Sequence, residues 1–200
     1  MSGDVDGLIL AGGQGVRFGG RNKALITWQG ASLLEHVATR LGPQVERLMV
    51  SANEDLARIA AVVSPVLPDD PDLGAGPLAG VVSGLAHSRA EWLATVPTDM
   101  PLIPSNLIEH MMNSLKDGAK LAVAHDGNRR QNCVLLVHQT LQSSVEVYLH
   151  QGRRSVAGWL RQTAHREVSF PSSAVAFSNL NSEADLDQLA AAQQQMSKSG

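Results

Sequence analysis

Hydrophobic positions along the chain switch between two periods, and the switch recurs through residue 124. Short apolar-rich runs at Asp6 to Leu10, Val45 to Val50, Val66-Leu67 and Trp92 to Val96 predict strands of a sheet covered on both faces. Between them the apolar residues return at helical spacing. Leu34, Val37, Ala38 and Leu41 share one face behind Ser32-Leu33-Leu34-Glu35, where the spacing of Ser and Glu predicts a capping box. Leu56, Ile59, Ala60 and Val63 mark a second helix, and Leu107, Ile108, Met111 and Leu115 a later one. Pro77 suits a first helical turn and opens the helix carrying Leu78, Val81, Val82 and Leu85. Leu121 to Ala124 then turns through Asp126-Gly127 into Val134 to Val137, a hairpin, and the rest reads as helical.

Strands that alternate with amphipathic helices predict a doubly wound, Rossmann-like three-layer α/β/α fold with a mainly parallel sheet. The late hairpin predicts one antiparallel strand added to it. The 200 residues fit a single domain, taken as 1–192, while Gln193 to Gly200 has no core face and is expected to fray. A hydrophobic share of 44% with only 4% aromatic residues points to an aliphatic interior. The net charge of −3 offers nucleic acid no global attraction, so a small-molecule partner is expected. No apolar run approaches the roughly 18 residues of a membrane span, and the N-terminus lacks a signal-type segment, so the expected location is the cytoplasm. Cys133 is the lone cysteine, which excludes an internal disulfide and a multi-cysteine zinc site and suggests a core thiol.

Candidate chemistry begins where the first strand ends. Leu8-Ile9-Leu10-Ala11 runs into a loop holding Gly12, Gly13, Gly15, Gly19 and Gly20, closed by Arg17 and Lys23. Glycines let backbone N–H groups approach anionic oxygens, and the two cations add charge that amides cannot supply, so the loop is expected to bind phosphate. A P-loop is excluded because Lys23 lies between Asn22 and Ala24, without the required Gly before and Ser or Thr after. A dinucleotide fingerprint fails where Phe18 takes the third glycine's place, and the next strand ends in Ser51-Ala52-Asn53 rather than an acidic ribose ligand.

Asp99 follows an apolar strand, with Pro97 and Pro101 on either side to fix the backbone, and is a suitable single carboxylate for Mg²⁺. Asp69-Asp70-Pro71-Asp72 leads through Gly74 and Gly76 to Pro77 and Gly80, a second loop entering a helix N-terminus. At least one of its aspartates is expected to meet a base, a ribose or a metal-bound water, and Gly76 and Gly80 to permit close approach. In such sheets ligands lie beyond the carboxyl ends of the strands, where the glycine loop, Asn53, Asp69 and Asp99 all fall. The seven histidines show no metal spacing and read as mostly surface residues, and no Ser-His-Asp arrangement is visible. Asn179 and Asn181 precede Ser182, which suits a helix N-cap.

Taken together, these residues resemble the molybdenum cofactor guanylyltransferase family, within the wider nucleotidyltransferase fold. Leu10-Ala11-Gly12-Gly13, Arg17, Gly19-Gly20 and Lys23 carry the wider likeness. Gly76-Pro77-Leu78-Ala79-Gly80, Thr98-Asp99-Met100-Pro101 and Phe177-x-Asn179-x-Asn181-Ser182 carry the narrower one. The resemblance implies transfer of GMP from GTP to the phosphate of molybdopterin, usually already bearing molybdenum, with Mg²⁺ as cofactor and pyrophosphate as the second product. A sister cytidylyltransferase or sugar-phosphate nucleotidyltransferase would share the same loop and metal position. It further implies that Leu10, Ala11, Gly12, Gly13 and Gly76 line the GTP site, that Arg17 and Lys23 serve the phosphates, and that Asp99 holds the metal. Ser51 or Asn53, with Asp69, would lie near the guanine. Asn179 and Asn181 would meet the pterin half, and transient contact with cofactor-delivery or acceptor proteins is expected.

Overall fold

The computed structural model describes residues 4–12, 22–115, 117–170, 176–178, 180 and 185. Strands β1 (Val5–Leu10), β4 (Leu48–Ser51), β5 (Val66–Leu67), β6 (Trp92–Pro97), β7 (Leu121–His125), β8 (Arg130–His138) and β9 (Arg166–Ser169) form one seven-stranded sheet in the order β5-β4-β1-β6-β8-β7-β9. A second, two-stranded sheet joins β2 (Thr27–Trp28) to β3 (Ala31–Ser32). In the large sheet every strand but β8 runs the same way; β8 is antiparallel to both β6 and β7.

Helices cover both faces. Because alternate strand residues point to opposite sides, Leu8 and Leu10 of β1 face one layer while Ile9 faces the other. Helices α1 (Leu33–Leu41), α2 (Leu56–Ala60) and α4 (Leu107–Asn113) bring Leu34, Val37, Leu41, Ile59, Leu107 and Met111 onto the Ile9 side. The Leu8 side is covered by α3 (Pro77–His87), α5 (Gln142–His150) and α6 (Val156–Gln162), through residues such as Val81, Leu85, Tyr148, Leu149 and Trp159. Each such aliphatic side chain, removed from water, contributes about 1.5–3 kcal/mol. Two apolar clusters on opposite faces are what make β1, the third strand in the sheet order, entirely buried.

Local signals act as expected at several points. Ser32 and Glu35 form the capping box of α1, with the Ser32 Oγ accepting from the Glu35 amide at 3.2 Å and the Ser32 amide donating to Glu35 Oε2 at 2.6 Å. The Ser32 hydroxyl also donates to Glu35 Oε2 at 2.6 Å, and this bond first, with that from the Ser32 amide, holds the Glu35 carboxyl below its ordinary range. Pro77 is the first residue of α3.

Two readings are corrected and a third is borne out. Residues expected as a strand from Val45 begin their ladder at Leu48, because Pro43 sits in a 3-10 turn over Gly42–Gln44 that delays it. The late hairpin adds the expected antiparallel strand, β8, which inserts between β6 and β7, where both of its sides are hydrogen-bonded. The chain after the hairpin is not helical throughout, since β9 pairs in parallel with β7. Its four residues, Arg-Glu-Val-Ser, bury only Val168, so no apolar run announces it. The expected tail at 193–200 lies outside the described residues.

Candidate active site

Four parallel strands deliver their carboxyl ends to one edge of the sheet. Ala11 and Gly12 follow β1, Asn53 follows β4, Asp69 follows β5 and Asp99 follows β6. Backbone hydrogen bonds tie these exits together: the Ala11 amide donates to Ser51 O at 2.9 Å, Ala52 to Leu67 O at 3.1 Å and Thr98 to Leu10 O at 3.2 Å. The convergence expected from strand order is therefore present in space.

Lys23 approaches Asp99 from a 3-10 turn over Lys23–Leu25, which begins where the Asn22 side chain accepts from the Ala24 amide at 3.1 Å. The Lys23 ammonium donates to Asp99 Oδ2 at 3.2 Å, with both side chains mostly buried. Asp99 Oδ1 is different: it is buried and, among the described residues, accepts no hydrogen bond. A buried carboxylate oxygen without a donor is costly unless something else completes it. A hard divalent cation that takes one or two protein carboxylates and fills its shell with water and phosphate oxygens fits such an atom, so the residues present suit Mg²⁺. Among the described residues no cluster of three or more His, Cys, Asp or Glu offers a fuller metal cage.

Asp69 is finished in the opposite manner. Its Oδ2 accepts from the Asn53 Nδ2 at 2.9 Å and the Gly76 amide at 3.3 Å, and its Oδ1 accepts from Ser51 Oγ at 3.3 Å. The Asp69 amide in turn donates to Asn53 Oδ1 at 2.8 Å. Gly76 caps α3 with φ +132°, a conformation that favours glycine, and so presents its N–H to this carboxylate. The negative group that the α3 N-terminus attracts is thus supplied by the protein itself. Ala11, Gly12, Asn22, Asn53, Glu54, Asp69, Ala75, Gly76 and Pro77 line a cleft of about 500 Å³ beside it.

Not every expected site residue opens onto this cleft. Leu10 and Ser51 lie beneath it, 7% and 3% exposed. Gly80 is a packing residue rather than a ligand-approach one: a Cβ there would stand 2.6 Å from Ser51 Oγ and 3.0 Å from Leu10 Cδ2, so its absence lets α3 press on the sheet. Gly13, Arg17, Asn179 and Asn181 fall outside the described residues. Leu180, which is described, donates its amide to Asp99 O at 3.0 Å. Asn22, Glu54 and Ala75 were not singled out as site residues from the sequence, although each adjoins one that was, and Pro77 was read there as a helix opener and motif residue rather than as cleft lining. His138 departs from the surface expectation: it is 5% exposed on β8, with Nε2 at 2.7 Å from Glu91 Oε1. Cys133 is partly buried; burial, reinforced by the nearby Asp99 charge, pushes its thiol up to about 11. A thiol held protonated is a poor nucleophile.

A mainly parallel α/β sheet thus brings a part-buried Lys23–Asp99 pair and a polar cleft together at its strand ends. Residues 7–167 match the model of the MobA-like NTP transferase domain. Molybdenum cofactor guanylyltransferase of Shewanella woodyi is 37% identical over 193 residues, covering 96% of this chain and 98% of its own. The protein of the same name from Shewanella sediminis is 36% identical over 193 residues, with the same coverage. A crystal structure of molybdopterin-guanine dinucleotide biosynthesis protein A from Archaeoglobus fulgidus superposes with a TM-score of 0.80 at 20% identity, covering 95% of this chain and 99% of that one. The chain belongs to the MobA-like NTP transferase family, and is a nucleotidyltransferase. No helix among the described residues is long and apolar enough to cross a membrane.

Proposed function

We propose that this chain transfers GMP from GTP to the phosphate of molybdopterin, with or without molybdenum already bound, forming the guanine dinucleotide cofactor and releasing pyrophosphate, with Mg²⁺ held at Asp99. The observation that carries the metal and phosphate part of this reading is the Asp99 carboxylate, with one oxygen on Lys23 and the other buried and unpartnered. The acceptor and the base follow from what the relatives at 36–37% identity are named for.

The acceptor is a phosphate monoester whose second ionisation lies near pH 6, so it is largely dianionic at neutral pH and needs no general base. One of its oxygens forms a bond to the α-phosphorus of GTP, the α–β bridging bond breaks, and pyrophosphate leaves with the electron pair. The protein's task is to hold two polyanions in line and meet the charge that grows on the leaving group. Lys23 serves the second part and the Gly12 amide the first. When bound, Mg²⁺ neutralises phosphate charge at Asp99. The raised thiol of Cys133 agrees with direct displacement rather than a covalent enzyme intermediate.

Pyrophosphate release measured with molybdopterin as acceptor and each of the four nucleoside triphosphates tests this reading. GTP should dominate, and omission of Mg²⁺ should stop release. Preference for CTP would replace the reading with cytidylyl transfer, and release that does not depend on molybdopterin would remove the acceptor.

A further inference from the structure

The hydrogen bonds around Asp69 leave little of that carboxylate unspent. An ionised carboxyl group offers about four acceptor positions. Asn53 and the Gly76 amide occupy Oδ2 and Ser51 occupies one position on Oδ1, which leaves one, also on Oδ1, for a donor on a ligand in the cleft. Asn53 is bound to Asp69 at both ends of its amide, giving Nδ2 to the carboxylate and taking the Asp69 backbone N–H on Oδ1. Its orientation is not ambiguous, because a flipped amide would set an N–H against the backbone donor and an oxygen against the carboxylate. Ser51, buried beneath, holds the other carboxylate oxygen from below.

We propose that Asn53, although it lines the cleft, is a positioning residue for base selection: it works through Asp69, locking the carboxylate so that its one open acceptor position meets a donor on the guanine edge, and makes no decisive base contact itself. The inference rests on the guanine reading above. It separates two residues that sequence position alone treats as equals. Guanine presents a donor at N1 where adenine presents an acceptor, so a locked carboxylate accepts from one and repels the other. A carboxylate free to rotate can turn away from adenine and loses that discrimination.

Steady-state kinetics with GTP and ATP on the full chain tests this. Asn53→Ala should lower kcat/KM for GTP about tenfold, as expected for loss of a hydrogen bond to a charged group, with kcat at saturating GTP nearly kept. The GTP-to-ATP ratio should fall to that of Asp69→Ala. In the Asp69→Ala background, Asn53→Ala should add less than about twofold, since residues acting as one unit are not additive. Asn53→Asp should be worse than Asn53→Ala, because a second carboxylate cannot donate to Asp69 and repels it. If residue 53 faced the base directly, that same aspartate would offer guanine an acceptor and preserve the preference, and the single losses would multiply in the double variant; either result overturns the proposal. If Asp69→Ala leaves the GTP-to-ATP ratio unchanged, the assignment of Asp69 as base reader fails first. Thermal melting of each variant, unchanged within a few degrees for this exposed loop position, separates positioning from unfolding.

Discussion

Asp69 and Asp99 leave the same edge of the same sheet, yet one is completed by the protein and the other is not. Three protein donors surround Asp69, whereas Asp99 has a single ion pair and a buried oxygen with no partner. A third carboxylate, Asp126, marks the purely structural extreme: it accepts from the Asn128 and Arg129 amides at 2.7 Å each and from Gln131 Nε2 at 2.6 Å, closing the β7–β8 turn. The contrast matches the proposed division between recognition at Asp69 and charge handling at Asp99. A group that must discriminate a rigid base gains from being held still, while a group that must take up a cation has to keep an oxygen in reserve.

The largest break in this comparison is expected at Asp99. Asp99→Asn keeps the shape but supplies a poor ligand for a hard cation, and turnover should fall about 10²-fold or more with the melting temperature preserved. Near-wild-type rates at limiting Mg²⁺ would show that the unpartnered oxygen has no such task. Lys23→Ala comes next: a cation aimed at departing phosphates gains strength as charge builds there, so both kcat and nucleotide affinity should drop, by about 10-fold or more in kcat/KM. If kcat survives and only the affinity for the acceptor changes, Lys23 does not face the leaving group.

Gly80→Ala sharpens the other side of the comparison without replacing a polar residue. The added Cβ meets Ser51 Oγ at 2.6 Å, and relief of that overlap should cost about 1–3 kcal/mol in urea unfolding while pushing Ser51 off Asp69. A few-fold loss of base preference with kcat retained is the expected kinetic trace; full selectivity in a destabilised variant would mean that Asn53 alone holds the carboxylate.

Asp126→Ala should leave base preference and turnover alone and act on stability, by about 1 kcal/mol near neutral pH. Burial by itself raises the Asp126 carboxyl, but hydrogen bonds from Arg129, Asn128 and Gln131, with the Arg129 charge, outweigh it and the net shift is downward. A folded-state pKa below the unfolded value near 3.9 means that the contribution is present above that pH and is lost as acid protonates the folded group. Denaturant midpoints of wild type and variant should therefore differ at pH 7 and draw together as the pH falls below the ordinary carboxylate range; a constant gap would assign the effect to turn geometry rather than charge.

Much of this architecture was legible before any coordinates. The alternation of apolar runs and helical stripes, the Ser32–Glu35 box and Pro77 are local signals, each decided within a few residues, and the structure has them where the pattern puts them. β9 was not legible because a two-faced hydrophobic pattern is required only of strands buried on both faces, and Arg166–Ser169 is a sheet-edge strand with one buried residue. The insertion of β8 was equally hidden, since a hairpin sequence sets which strands follow one another and not which third strand lies on the far side.

The same division runs through the site. Strand-end position, with glycines, a lysine and an aspartate of the right spacing, was enough to gather Lys23, Asn53, Asp69 and Asp99 at one edge, because a parallel sheet sends every carboxyl end the same way. Sequence had nothing to say about which carboxylate would be satisfied. That depends on side chains 16 to 76 positions apart meeting within hydrogen-bond distance, and on Gly80 being small enough for a helix to set Ser51 beneath Asp69. Chain-local chemistry determined the strands, caps and candidate charges; only packing in three dimensions decided which of those charges is held and which is left open.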